Sequence, residues 1–192
     1  YESTKAAAEG VALALGRLFN VRTVLLRPSL IWGAHDRQFV PRIVRALRGG
    51  AFAFVGDPDR TMNLCHGENL AACADAALLR HGVDQAAYNV VDGELPSWRD
   101  AVGFIARVAG LPVPTRTIPK PLALALGSAL DRVRSTGIPV PLPFTRFTAQ
   151  VAGARCVYRI DRARRDLDYA PTTSFLRDGE PSIRSALAAM EG

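Results

Sequence analysis

Lysine is nearly missing from this chain: of its 24 basic residues only Lys5 and Lys120 are lysine, and the rest are arginine. Cysteine is also sparse. Cys65, Cys73 and Cys156 form no Cys-x-x-Cys pair and leave one over, which excludes a disulfide frame and a thiolate zinc site. They read as buried thiols of a reducing compartment. His35, His66 and His81 stand at no metal-ligand spacing from one another or from the cysteines. No Gly-x-Ser-x-Gly occurs, so a serine hydrolase of that type is excluded. No two glycines are separated by a single residue, so the chain holds no Gly-x-Gly-x-x-Gly phosphate loop. The longest apolar run, Leu122 to Leu130, contains Gly127 and Ser128. It falls far short of the roughly 20 residues of a membrane-spanning helix, so no integral membrane segment is expected.

The 192 residues, 48% hydrophobic, suffice for one domain or the larger part of one. With no initiator methionine and an abrupt start on a helix, the chain is expected to be a piece of a longer protein. The net charge of +6 raises the question of nucleic acid. The arginines are spread and often neighbour acids, as in Asp161-Arg162-Ala163-Arg164-Arg165-Asp166, and no aromatic interleaving accompanies them. No nucleic-acid partner is expected. Arg42, Arg45 and Arg48 make a stripe on a helix, read as a solvated face. A cytoplasmic location is expected, with peripheral contact to a membrane as a variant. The Leu122–Leu130 helix is read as core first, substrate-pocket wall second and interfacial helix third.

The patterning alternates helix and strand. Val11, Leu15 and Leu18 give the helix from Glu2 to Leu18 an apolar face. The run Val24-Leu25-Leu26, continuing through Arg27-Pro28-Ser29-Leu30-Ile31-Trp32-Gly33, predicts a strand buried on both faces, as in parallel sheets. Helices are expected at 38–47, 67–80, 96–109, 122–133, 162–167 and from Ser174 onward, and strands at 51–55, 88–91 and 158–160. Prolines crowd after Pro112, and this region reads as a smaller lobe on the α/β body. The expected division is 1–111 and 112–192.

Tyr1 and Lys5 stand at i and i+4, so a helix places both on one face. At about 4 Å and an effective dielectric of about 20, an ammonium attracts a phenolate by roughly 4 kcal/mol. Such a pair can exchange a proton with an alcohol or a carbonyl near neutrality.

Taken in order, several segments resemble the C-terminal half of an extended short-chain dehydrogenase/reductase, within the NAD-dependent epimerase/dehydratase superfamily. They are Tyr1-x-x-x-Lys5; Leu26-Arg27-Pro28-Ser29-Leu30-Ile31-Trp32-Gly33; Phe54-Val55-Gly56-Asp57; His66-Gly67-Glu68-Asn69-Leu70-Ala71; Tyr88-Asn89-Val90-Val91-Asp92-Gly93; and Asp161 through Pro171. The resemblance implies the back half of a doubly wound α/β NAD(P)-binding Rossmann fold over 1–111, and a small mixed substrate-binding lobe over 112–192. It implies Tyr1 as acid/base, Lys5 binding the nicotinamide ribose and depressing the tyrosine pKa, and Pro28, Ser29, Leu30 and Ile31 against the nicotinamide ring of NAD or NADP. It also implies a homodimer through helix 2–18. His66 and Asn69 read as groups that cap and orient a helix.

Epimerases and dehydratases of the family usually carry an arginine six residues after the glycine of Gly56-Asp57, gripping a diphosphate. That position here is Met62, and Arg60 comes two residues early. An apolar residue there resembles the 3β-hydroxysteroid dehydrogenase branch, so the implied small-molecule substrate is a steroid-like or other apolar alcohol or ketone. The alternatives are a nucleotide-sugar epimerase/dehydratase and a non-catalytic Rossmann-like binding module. Without the glycine loop, the chain is expected to be inactive by itself.

Overall fold

All the named strands pair in parallel, and the two members of each pair are separated in sequence by at least one helix. The computed structural model describes residues 2–139, 144–154 and 156–191. Its elements are α1 (Glu2–Leu18), β1 (Leu25–Pro28), β2 (Leu30–Trp32), α2 (Phe39–Arg48), β3 (Phe54–Val55), β4 (Leu64–His66), α3 (Gly67–Leu79), β5 (Ala87–Val90), α4 (Trp98–Val108), β6 (Thr117–Ile118), α5 (Lys120–Ser135), α6 (Arg146–Ala152), α7 (Asp161–Leu167), α8 (Phe175–Asp178) and α9 (Glu180–Glu191). β1 pairs with β5, placing Pro28 opposite Val90; β2 pairs with β4, placing Trp32 opposite His66; β3 pairs with β6. This is the α/β architecture that the alternation predicts.

Helix ends follow local chemistry. Ser97 caps α4 by accepting the Asp100 N–H at 3.0 Å, a contact worth about 1 kcal/mol. His66 caps α3 through its ring, which accepts the Glu68 N–H. Thr145 and Thr148 form a reciprocal capping box on α6.

Three apolar clusters make the core. Val40, Ile43 and Val44 of α2 meet Val102 and Ile105 of α4, Phe175 of α8 and Ile183 of α9. Tyr88 and Val90 of β5 meet Cys73 and Ala77 of α3 and Ala163 and Leu167 of α7. Val55, Ala123 and Ala149 join β3 to α5 and α6 in a small third cluster.

Several expectations need correction. The strand from Val24 to Gly33 is not buried on both faces. It breaks at Ser29, and Leu25 and Leu26 are half-buried while Leu30 and Ile31 are exposed. Among the described residues β1 hydrogen-bonds only β5 and β2 only β4, so one edge of each lacks a cover. Residues 158–160 form no strand. Side chains hold that segment instead: Asn63 Nδ2 donates to the Cys156 carbonyl and its Oδ1 accepts the Tyr158 N–H. The final helix is divided at Gly179, where a Cβ would run into the Phe175 carbonyl oxygen. β4, β6 and α6 were not expected.

Candidate active site

Helix α1 crosses β1 in the opposite direction. Gly16 lies on Thr23, where a Cβ would collide with the threonine hydroxyl. Seven helix residues earlier, Glu9 accepts from Arg27 Nε at 2.8 Å and pairs with its second guanidinium nitrogen. Arg27 holds the Glu9 carboxyl below the usual carboxylate range. Helix positions fall as strand positions rise, so the next turn back from Glu9 carries toward the end of β1. That turn is about 6 Å of helix, equal to about two residues of strand. Lys5, on the Glu9 face of α1, therefore stands at about the level of Ser29. Lys5 is exposed. Tyr1 lies outside the described residues.

Pro28 ends β1, and the Ser29 N–H donates to the Val90 carbonyl at 3.2 Å. The Ser29 hydroxyl is buried and has no hydrogen-bond partner among the described residues. Beside it, Leu30 and Ile31 keep 40% and 48% of their surface exposed, high for apolar side chains on a strand. Ser29, Leu30, Ile31 and Trp32 line a cavity of about 910 Å³, together with His66 and Thr173. Pro28 and Lys5 are not among its lining residues. Thus Ser29, Leu30 and Ile31 come together at one site, Lys5 lies outside its lining, and Pro28 ends the strand just before it.

Beneath this wall is a polar hub. Asp92 is 1% exposed, and its carboxylate accepts from Trp32 Nε1, the His66 N–H and Asn69 Nδ2, each at 2.7 Å. Asn69 Oδ1 in turn accepts the Thr172 and Thr173 N–H groups. The hub joins the end of β2, the start of α3, the end of β5 and the segment before α8. In the sequence Asp92-Gly93 stands only as the end of the segment Tyr88 to Gly93, with no role assigned to the acid. The acid at a strand end, followed by glycine, was the available signal, but its partners are 23 to 60 residues away.

Charge at the site follows local contacts. Hydrogen bonding from Arg177, then from the Ser174 N–H, holds the Asp178 carboxyl at about 2. Burial pushes the Cys65 thiol up to about 12 and the Cys73 thiol to about 11, so both are inert packing groups. No group of three or more potential metal ligands occurs among the described residues. Met62, at the position where the diphosphate-gripping arginine would stand, is a core residue only 2% exposed. Arg60 turns inward, donating to the Val55 carbonyl at 3.0 Å and resting over the Trp98 ring. Arg42, Arg45 and Arg48 are exposed along α2, the solvated face expected.

Comparison with known proteins agrees with this fold. Residues 1–90 match the NAD dependent epimerase/dehydratase family. The chain is 32% identical over 98% of its length to a 2-alkyl-3-oxoalkanoate reductase of Stenotrophomonas maltophilia, and spans 58% of that protein. It is 26% identical to a 3β-hydroxysteroid-dehydrogenase/decarboxylase of Arabidopsis thaliana over 89% of its length, spanning 42% of that protein. Its fold superposes with a TM-score of 0.69 on a UDP-glucuronic acid 4-epimerase from Bacillus cereus in complex with NAD, covering 100% of this chain and 53% of that one at 17% identity. The chain thus spans about half the length of these relatives. With the ordered segments, the parallel α/β fold and these matches together, residues 1–90 carry the NAD-dependent epimerase/dehydratase family's match, and the chain is similar over nearly its whole length to a reductase.

Proposed function

We propose that this chain supplies the nicotinamide- and substrate-facing part of an NAD(P)-dependent oxidoreductase that interconverts a secondary alcohol and a ketone on an apolar substrate. One observation carries the reading: the buried Ser29 hydroxyl, which has no hydrogen-bond partner among the described residues, stands beside exposed Leu30 and Ile31. An unmatched buried hydroxyl costs about 1–3 kcal/mol, and a ligand amide would satisfy it. Exposed apolar side chains next to it suit a flat, uncharged ring. The residues fit the nicotinamide end of NAD or NADP, with Ser29 toward the carboxamide, Leu30 and Ile31 against the ring, and Lys5 toward the ribose hydroxyls.

When bound, the dinucleotide supplies or accepts the hydride at the substrate carbon. Tyr1 gives its phenolic proton to the carbonyl oxygen in reduction and recovers it in oxidation. Lys5 stabilises the phenolate in between. Residues 1–111 form the back half of the dinucleotide domain and 112–192 the substrate lobe.

An apolar substrate is favoured by two features. No arginine or lysine lines the cavity among the described residues, and Arg60 is engaged inward. The substrates named for the two enzyme relatives carry a ketone or a secondary alcohol on a large apolar body. The exposed Val11, Leu15 and Leu18 of α1 suit pairing with a second copy. No described helix is long and apolar enough to cross a membrane; residence in the cytoplasm, with peripheral contact where an apolar substrate is delivered, fits the same reading.

The test is Tyr1→Phe and Lys5→Met in the natural full-length protein. Tyr1→Phe should lower kcat about 10²–10⁴-fold while dinucleotide affinity stays within about twofold. Lys5→Met should weaken dinucleotide binding and move the pH–rate profile to higher pH. A Tyr1→Phe variant as fast as wild type sinks the mechanism, and a wild-type protein that binds no dinucleotide points to a non-catalytic module.

A further inference from the structure

We propose that His66 has a second role beside capping α3: its Nε2–H donates a hydrogen bond to an oxygen of the substrate other than the one being reduced. The proposal rests on the reading of the 910 Å³ cavity as the substrate site. It begins with the cap. His66 Nδ1 accepts the Glu68 N–H at 3.3 Å, which needs an unprotonated Nδ1 and puts the ring proton on Nε2. Glu68 does not compete for that ring position, since its carboxylate is 83% exposed and 3.7 Å away.

The ring cannot turn aside. It packs on the Trp32 indole with centroids 4.4 Å apart, and that indole is itself tied to Asp92. The His66 backbone N–H is held by the same carboxylate. Nε2 therefore faces the cavity as a fixed donor, and among the described residues it has no hydrogen-bond partner.

Gly33 keeps that donor uncovered. Its φ is +148°, and a Cβ there would sit 3.2 Å from His66 Nε2. Both residues line the cavity. Glycine is thus the residue that leaves the approach to Nε2 open.

The donor is set apart from the Ser29 end of the site. His66 is in register with Trp32, three strand residues beyond Ser29, or roughly 10 Å along the strand. With hydride transfer read at the Ser29 end, an oxygen that meets His66 is a second one, and the substrate class indicated is a ketone that carries a further carbonyl oxygen, as a carboxyl, ester or amide.

Asparagine and glutamine separate the two roles. Asparagine can place its amide oxygen near the Nδ1 position and keep the cap, but it does not reach the Nε2 position. Glutamine reaches that position with a donor and loses the cap. The natural full-length protein is assayed with an apolar 3-oxo ester and with the plain ketone of equal length, and the melting temperature of each variant is recorded. His66→Asn should keep the melting temperature and raise KM for the oxo ester about three- to tenfold, with the plain ketone and kcat unchanged. His66→Gln should lower the melting temperature and keep the wild-type KM for the oxo ester. If KM follows the cap instead, with Gln impaired and Asn normal, or if His66→Asn affects both substrates equally or neither, the second role is overturned. A wild-type protein that reduces neither substrate overturns the parent reading, and this one with it.

Discussion

Asp92 offers the sharpest test of how the site wall is held. Its carboxylate is 1% exposed and accepts three hydrogen bonds of 2.7 Å, two on Oδ1 and one on Oδ2. No ion pair to it occurs among the described residues, so the three donors, with the start of α3 behind the His66 N–H, stabilise the charge. Asp92→Asn keeps one oxygen. In its better orientation the oxygen serves His66 and Asn69, and the new amide nitrogen confronts Trp32 Nε1. One charge-assisted bond is lost, worth about 1.5–3 kcal/mol, and a buried donor is left facing another donor. Relief of the buried charge offsets part of this. The expected net loss is about 2–3 kcal/mol, or roughly 4–12 °C in Tm for a domain of this size. Asp92→Ala strands all three donors and should cost at least twice as much. Urea unfolding followed by tryptophan fluorescence and circular dichroism measures both, and Trp32→Phe completes a double-mutant cycle. Without the indole N–H, Asp92→Asn should cost about 1 kcal/mol less. An Asp92→Asn protein within about 0.5 kcal/mol of wild type, or strict additivity with Trp32→Phe, would refute the hub.

Other outcomes follow from single contacts. A thiol reagent at mild alkaline pH should label Cys156, which is exposed, quickly, and leave Cys65 and Cys73 protected until the protein unfolds; equal rates for all three would contradict the buried thiols. The Asp178 carboxyl is depressed to about 2 by Arg177 and the Ser174 N–H. Its contribution to stability is complete above the unfolded carboxylate value and is lost as pH falls from about 4 to about 2. Asp178→Asn should flatten that part of an acid-unfolding profile, and an unchanged slope would speak against the pairing. Gly127→Ala drives a Cβ to 2.6 Å from the Arg146 backbone nitrogen. It should destabilise the α5–α6 contact by about 1–3 kcal/mol, read as a lower Tm; a neutral result would mean the two helices separate freely.

Helices were the legible part of this chain because their signals are local. The apolar spacing of Val11, Leu15 and Leu18 announces α1 without knowledge of the rest. β4 and β6 were hidden because strands of three and two residues carry no period. α6 was hidden because its Thr145–Thr148 box lies just beyond the prolines. Part of the site could be read in order along the chain: the segment Pro28 to Ile31 gathers Ser29, Leu30 and Ile31 on one wall. Asp92 and Asn69 were not readable as a hub, since its members come from four separate segments. His66 was read as a cap, which Nδ1 is; the free edge of its ring becomes visible only beside Gly33. Met62 supported an apolar substrate in the sequence, yet it is a core residue, and the support now comes from the cavity lining.

The central claim is hydride transfer at the Ser29 end of the cavity. It is tested most directly by incubating the natural full-length protein with reduced dinucleotide deuterated at C4 of the nicotinamide and an apolar ketone, then locating the label by mass spectrometry. Deuterium on the new carbinol carbon, with transfer about 10²-fold or more slower in Tyr1→Phe, is the predicted result. Dinucleotide that stays reduced, or alcohol formed without the label, would contradict it.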